Sequence, residues 1–178
     1  PAMSRLDSFI RRLQAQRLCL AHAAMLVRDL PGPIFELGFG NGRTYDHLRE
    51  LFPGREIVVF ERQPPEDTEG TPDGRPFIIG DIRATLPATG ARFAAGVPLI
   101  HSDLGSGDEA QNGRLAAFLA RRLPDLLVPG GVIVSDLALP GRRAWALPPP
   151  PAVSHRRYFL YGSDRQDAAP RANVMADS

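Results

Sequence analysis

Short apolar runs rich in β-branched and aromatic residues alternate along this chain with helical patterns, and that alternation narrows the fold more than any other feature. The runs are Ile34-Phe35-Glu36-Leu37, Ile57 to Phe60, Phe77 to Ile79, Val97 to His101, and Val132 to Ser135. Each is the length of a strand and too short for a helix. Between them lie helical patterns over Arg43–Phe52, a short broken one over Ile82–Ala95, and a long one over Asp108–Leu127. Apolar strands that alternate with helices imply a mostly parallel sheet covered on both faces. A helical pattern from Ser4 to Leu30 precedes them, with Leu6, Ile10, Leu13, Leu20, Ala24 and Val27 on one stripe and Arg5, Arg11, Arg12 and Gln16 mostly off it. Pro31-Gly32-Pro33 stops it. A last strand is expected over Arg157–Tyr161, after an irregular stretch over Leu139–Pro151. Gln63 to Pro76 reads as a long Pro/Gly-rich loop, and the chain beyond about Asp164 as a frayed polar end.

The chain's 178 residues suit one domain, since domains run to roughly 100–200 residues. We divide that single domain, 1–178, into an N-terminal helix (4–30), a core (33–137) and a short C-terminal strand region (138–163). Charge excludes some partners. Arginine supplies all 21 basic residues, against 20 acidic ones, so there is no electrostatic footprint for nucleic acid or an anionic membrane. With no lysine, neither a Schiff-base nor a P-loop lysine exists. Cys19 is the one cysteine, so no intramolecular disulfide can form, and its place beside Leu18 and Leu20 reads as a buried, inert thiol. No histidine–carboxylate spacing suggests a metal site, and none is expected. His22, His47 and His155 read as packed or solvated residues. Pro148 to Pro151 reads as a stiff spacer in preference to a polyproline ligand. No apolar run reaches ~18 residues and no signal-peptide core opens the chain, so the cytoplasm is the expected location.

The chemistry-bearing motif is Glu36-Leu37-Gly38-Phe39-Gly40-Asn41-Gly42, between the first strand and the next helix. Ligands of open α/β sheets bind beyond the carboxyl ends of strands, and glycines there let the backbone approach a ligand closely. A dinucleotide fingerprint, G-x-G-x-x-G, would need its third glycine at position 43, which is Arg43. The run is E-x-G-x-G-x-G instead. This resembles motif I of the class I S-adenosylmethionine-dependent methyltransferases.

The resemblance extends over about Pro33 to Leu137 and implies an α/β, Rossmann-like doubly wound fold. It also implies S-adenosyl-L-methionine as cofactor, S-adenosyl-L-homocysteine as product, and methyl transfer to a small-molecule acceptor. In that family the glycine loop wraps the cofactor's amino-acid end. That implies roles for Gly38, Phe39, Gly40, Asn41, Gly42 and Thr44, with Glu36 holding the loop and the cofactor's ammonium. Glu61, followed by Arg62, ends the second strand where the family binds both ribose hydroxyls. A carboxylate suits a cis-diol because it offers two acceptor oxygens. Gly80, Asp81 and Ile82 end the third strand where the family binds adenine. His101, Ser102 and Asp103 end the fourth, where the methyl-transfer pocket lies. If the acceptor must lose a proton, His101 and Asp103 are the candidate catalytic bases.

Simpler roles stand beside these. Glu36 is able to cap its turn or pair with an arginine, Glu61 to pair with Arg62 or Arg55, and Asp81 to cap the next helix. Compared with the family, the second helix is reduced and the C-terminal part trimmed, including the final hairpin. The N-terminal helix is the expected lid or homodimer contact. Two other readings remain: a non-catalytic protein or subunit that binds the same cofactor, and, disfavoured by the glycine spacing, a NAD-dependent enzyme. No Asn/Asp-Pro-Pro-aromatic motif and no Pro-Cys nucleophile occurs, which disfavours methylation of amino groups of adenine or glutamine and of cytosine C5.

Overall fold

The structure, a computed structural model, describes residues 4–64, 77–153 and 158–163. Its elements run α1 (Arg5–Val27), β1 (Ile34–Leu37), α2 (Arg43–Leu51), β2 (Ile57–Glu61), β3 (Ile78–Ile79) and α3 (Ile82–Gly90). Then follow β4 (Val97–Ser102), α4 (Glu109–Arg122), β5 (Leu127–Ser135), β6 (Ala146–Leu147) and β7 (Phe159–Gly162). Among the described residues the sheet has seven strands in the order β3-β2-β1-β4-β5-β7-β6. The first five are parallel, while β7 runs antiparallel to β5 and to β6. This is the Rossmann-like architecture, with the N-terminal helix in place.

Side chains alternate across β1 and build one core on each face. Ile34 packs with Val59, Leu99, Val132 and Val134 under α1 and α2. Phe35 and Leu37 pack with Phe60, Ile100 and Ile133 under α3 and α4. The central strands are buried on both sides, which is why they are continuous apolar runs and not alternating ones.

Three boundaries differ from the sequence reading. The last long helix stops at Arg122 and does not reach Leu127. Pro124 lacks the N–H that an α-helix needs, so Pro124–Leu126 tighten into a 3-10 turn and β5 begins at Leu127. The final hairpin is present in short form, because Ala146 and Leu147 pair with Tyr161 and Leu160. The last strand spans Phe159–Gly162, and the expectations for His155 and Arg157 lie outside the described residues, as do those for residues 65–76 and the chain from Asp164.

The apolar stripe of α1 also divides. Ser4 caps the helix by accepting from the Asp7 amide at 3.0 Å. Cys19, Leu20, Ala23 and Val27 are buried, but Leu6 and Ile10 are 66% and 42% exposed. A helix of 23 residues is ~34 Å long, more than the ~20 Å of a typical strand. Its first turns therefore overhang the end of the sheet where the loops gather. Gln16, read as off the stripe, is only 5% exposed.

Cys19 is fully buried, and burial pushes its thiol up to about 11. The native protein is expected to leave a disulfide reagent unreacted at pH 8 and to react at one thiol per chain in denaturant. Fast labelling of the native state would contradict this packing.

Candidate functional site

The chain leaves β1 towards β2 on one side, while β4 lies on the other. This reversal between β1 and β4 opens a crevice at the carboxyl ends of the strands. Glycine chemistry shapes its floor. Gly38 has φ +92°, and a Cβ there would lie 2.7 Å from the Asp103 carbonyl oxygen. Only glycine lets the loop pass so close to the end of β4. Gly40, at φ +55°, has no atom within 4 Å of where its Cβ would stand, so it faces open space.

Glu61, at the end of β2, braces this loop. Its Oε2 accepts from the amides of Phe39 at 2.8 Å and Gly40 at 3.1 Å, and its Oε1 accepts from the Arg62 amide at 2.6 Å. Glu61 and Arg62 line a cavity of about 290 Å³ together with Phe60, Gly80, Asp81, Ile82 and Leu104. Asp81 caps α3 by accepting from the Arg83 amide at 2.8 Å, yet its side chain is 61% exposed. The Ile82 amide is the first of α3, a position where a helix supplies no acceptor of its own.

A second cavity, about 260 Å³, lies between α1 and the glycine loop. Its walls include Phe9, Arg12, Leu13 and Gln16 of α1, and Gly38 to Asn41, Thr44 and Asp103. Asp103 is held from above. Arg12 Nη2 donates to its Oδ1 at 2.6 Å, and Gln16 Nε2 to its Oδ2 at 2.9 Å. Gln16 Nε2 also donates to the Tyr158 hydroxyl at 2.6 Å. Burial, reinforced by the charges of Asp103 and Asp136, holds the Tyr158 phenol well above its ordinary range, so it stays neutral. Asn41 is exposed, and with its amide turned so that the oxygen faces Arg43 it accepts from both guanidinium Nη atoms at 3.1 Å.

Beneath both cavities Glu36 and His101 are directly paired residues of β1 and β4, and neither is exposed. Glu36 Oε2 lies 2.6 Å from His101 Nδ1, and its Oε1 accepts from the Thr44 hydroxyl. Burial opposes charge on His101 most strongly, but the Glu36 carboxylate, with Asp103 and Asp136 beyond, outweighs it and raises the imidazole above 6.5. Nδ1 is then a donor to Glu36, and Nε2 has no partner among the described residues.

The sequence-derived site residues thus fall into two sets. Gly38, Phe39, Gly40, Asn41, Thr44, Glu61, Arg62, Gly80, Asp81, Ile82 and Asp103 line one cavity or the other. Gly42 is the buried N-cap of α2 at φ +79°. Glu36, His101 and Ser102 lie below the surface. Glu36 and His101 meet through Oε2 and Nδ1 in the core, and His101 Nε2 has no partner among the described residues. Arg12, Gln16, Tyr158 and Asp136 were missed. Gln16 carried one usable signal: it stands four residues before Leu20, on the stripe that α1 buries. Among the described residues, no three His, Cys, Asp or Glu side chains are grouped to hold a metal ion. Nor is any helix among them long and apolar enough to cross a membrane.

Comparison with known proteins agrees with this geometry. A family model described as S-adenosyl-L-methionine methyltransferase matches residues 3–163, and the chain belongs to that family. The solved structure of an S-adenosyl-L-methionine methyl transferase from Silicibacter pomeroyi DSS-3 is 44% identical, with a TM-score of 0.81, covering 90% of this chain and 99% of that one. The antibiotic-resistance methyltransferase Kmr shares the fold at 14% identity and a TM-score of 0.50, over 92% of this chain and 94% of its own. No match was found among curated proteins.

The residues fit the family's cofactor on two observations. The glycine loop offers an open cradle that a Cβ at Gly40 would begin to fill. The cavity beside it presents the remaining acceptor site of Glu61, an exposed carboxylate at Asp81 and the first amide of α3 at Ile82, groups that suit a ribose hydroxyl and an adenine edge.

His101 generates a pH prediction. Its folded-state value lies above the 6.5 of an unperturbed imidazole, so the folded protein binds more protons between the two. The stability it contributes is complete below pH 6.5 and is lost as pH rises through the folded value. Urea unfolding from pH 6.5 to 9 is expected to show falling stability in the wild type, with that slope reduced in His101→Asn. An unchanged slope in the variant would contradict the charged Glu36–His101 pair.

Proposed function

We propose that this protein is a catalytically active methyltransferase that binds S-adenosyl-L-methionine across the glycine loop and methylates a small-molecule acceptor. Adenosine would occupy the cavity at Glu61, Asp81 and Leu104, and the amino-acid end would lie over Gly38 to Gly40. The observation that carries this reading is the Glu61 carboxylate, which joins the glycine loop to the adenosine-sized cavity. When bound, the cofactor supplies a methyl group already activated on a sulfonium.

The protein's own task is then alignment, worth up to ~7–11 kcal/mol in a well-oriented reaction. Glu61 would fix the loop and offer its remaining acceptor site to a ribose hydroxyl. Asp81 and the Ile82 amide would read the adenine edge. The overhanging turns of α1 wall the second cavity, where Phe9, Leu13, Arg12 and Gln16 would exclude water and orient the acceptor. A cavity of about 260 Å³ favours a small acceptor over a macromolecular one. Asp103, half-covered by α1, is the carboxylate nearest to hand for an acceptor's proton. Its Oδ1 is held by Arg12 Nη2 at 2.6 Å, so Arg12 fixes where that carboxylate stands.

Titration calorimetry tests the cofactor. S-adenosyl-L-homocysteine and S-adenosyl-L-methionine are expected to bind and NAD(H) is not; the reverse would overturn the proposal. Gly40→Val should abolish binding, since a branched side chain would enter the cradle from a backbone at φ +55°. Glu61→Ala should weaken it by ~1.5–3 kcal/mol, the worth of hydrogen bonds to a charged group. Equal affinity in either variant would remove that residue from the site. Turnover with an acceptor separates the enzyme from a protein that only binds the cofactor.

A further inference from the structure

Between the two cavities runs the segment after β4, from Asp103 to Ser106. Asp103 lines the α1 cavity, while Leu104 and Ser106 line the adenosine-sized one. The segment is pinched on one side by Gly38, whose missing Cβ would strike the Asp103 carbonyl oxygen at 2.7 Å and Leu104 Cδ2 at 3.0 Å. On its other side stands Asp136, the first residue after β5. Asp136 N donates to the Ser102 carbonyl at 3.0 Å and so extends the β4–β5 ladder by one bond. Its carboxylate accepts from the Gly105 amide at 2.7 Å and from the Leu104 amide at 3.3 Å. A Cβ at Gly105 would lie 2.3 Å from Asp136 Oδ2, so only glycine permits the approach.

We propose that Asp136 is the positioning residue of the reaction centre: its carboxylate clamps the Asp103–Ser106 segment against Gly38 and so sets where cofactor and acceptor meet. The inference rests on the cofactor reading above. Asp136 lines neither cavity and acts through Leu104 and Gly105. Nothing in the sequence marks it, because it is one of several acidic residues that follow an apolar run.

Its charge environment is consistent with a clamp that is kept at some expense to folding. Burial, then the charge of Asp103, push the carboxyl up to about 6, against the Gly105 and Leu104 amides and His101, which favour the anion. Arg12 on α1 and Tyr158 before β7 are the other groups that feel its charge. The folded value exceeds the 3.8 of an unperturbed aspartate, so the folded state binds the extra proton between them. Stability from this group is therefore complete below pH 3.8 and lost as pH rises through about 6. An aspartate kept only for stability would do the reverse.

Three measurements test the clamp. In the ligand-free protein, the Gly105 amide resonance is expected to titrate with a midpoint near 6. That titration should vanish in Asp136→Asn. Affinity for S-adenosyl-L-homocysteine should be constant from pH 7 to 8.5 in the wild type and fall as pH drops through that midpoint. In Asp136→Asn it should be weaker by roughly tenfold or more at pH 8, the scale of one lost bond to a charged acceptor, and nearly independent of pH. The variant's Tm at pH 8 should not fall. Gly105→Ala, which forces the same contact apart, should reproduce the loss of affinity. Wild-type affinity in both variants, or an affinity loss in Asp136→Asn matched by a fall in Tm, would overturn the proposal. A Gly105 amide that stays still between pH 5 and 7.5 would overturn the anchoring itself. Absence of any S-adenosyl-L-homocysteine binding by the wild type would instead overturn the cofactor reading, with the amide titration still deciding the clamp.

Discussion

A carboxylate can lie at the centre of a parallel sheet only if donors surround it, and Glu36 meets that condition from both sides. Thr44, at the start of α2, donates to one oxygen, and His101 on the neighbouring strand holds the other. A buried pair of this kind adds little net stability, because desolvation consumes most of the attraction. Its effect is geometric. It ties β1, β4 and the first turn of α2 together just under the glycine loop, so the loop leaves the sheet in one direction. Breaking the pair from one side would leave a buried group without its partner, which is the costly outcome.

The remainder of the site is built outward from that point. The glycine loop emerges from β1 and is braced by Glu61. The segment after β4 emerges beside it and is held by Asp136 below and by Arg12 and Gln16 above. Two cavities result, one on each side of the β4 segment. The partition suits a reaction in which one ligand presents an activated carbon and another supplies the attacking atom, because alignment across the divide is what the protein must provide. The C-terminal turns of α1 cover one face of the sheet, and its overhanging first turns complete the second cavity, where Arg12 and Gln16 hold Asp103.

Much of this was legible in the sequence where local rules decide. Ile57 to Phe60 could hardly be anything but a buried strand, and Gly38, Gly40 and Gly42 mark a turn that other residues cannot make. Glu61 and Asp81 stand out because each ends a strand, where a site belongs. What local rules could not reach was pairing across the chain. Gln16 meets Tyr158, which is 142 residues away, and Arg12 meets Asp103 across 91. The burial of His101 was equally hidden. A histidine at a strand end looks the same in sequence whether it faces solvent or, as here, a carboxylate directly across the ladder. The two-residue β6 lay among prolines and carried no pattern at all, being specified by its antiparallel neighbour β7.

The most direct test is the structure of the complex with S-adenosyl-L-homocysteine. The account predicts adenosine in the cavity lined by Glu61, Asp81 and Leu104, with a ribose hydroxyl on the Glu61 carboxylate and the amino-acid end over Gly40. A ligand seated elsewhere, with Glu61 bonded only to the amides of Phe39, Gly40 and Arg62, would contradict it.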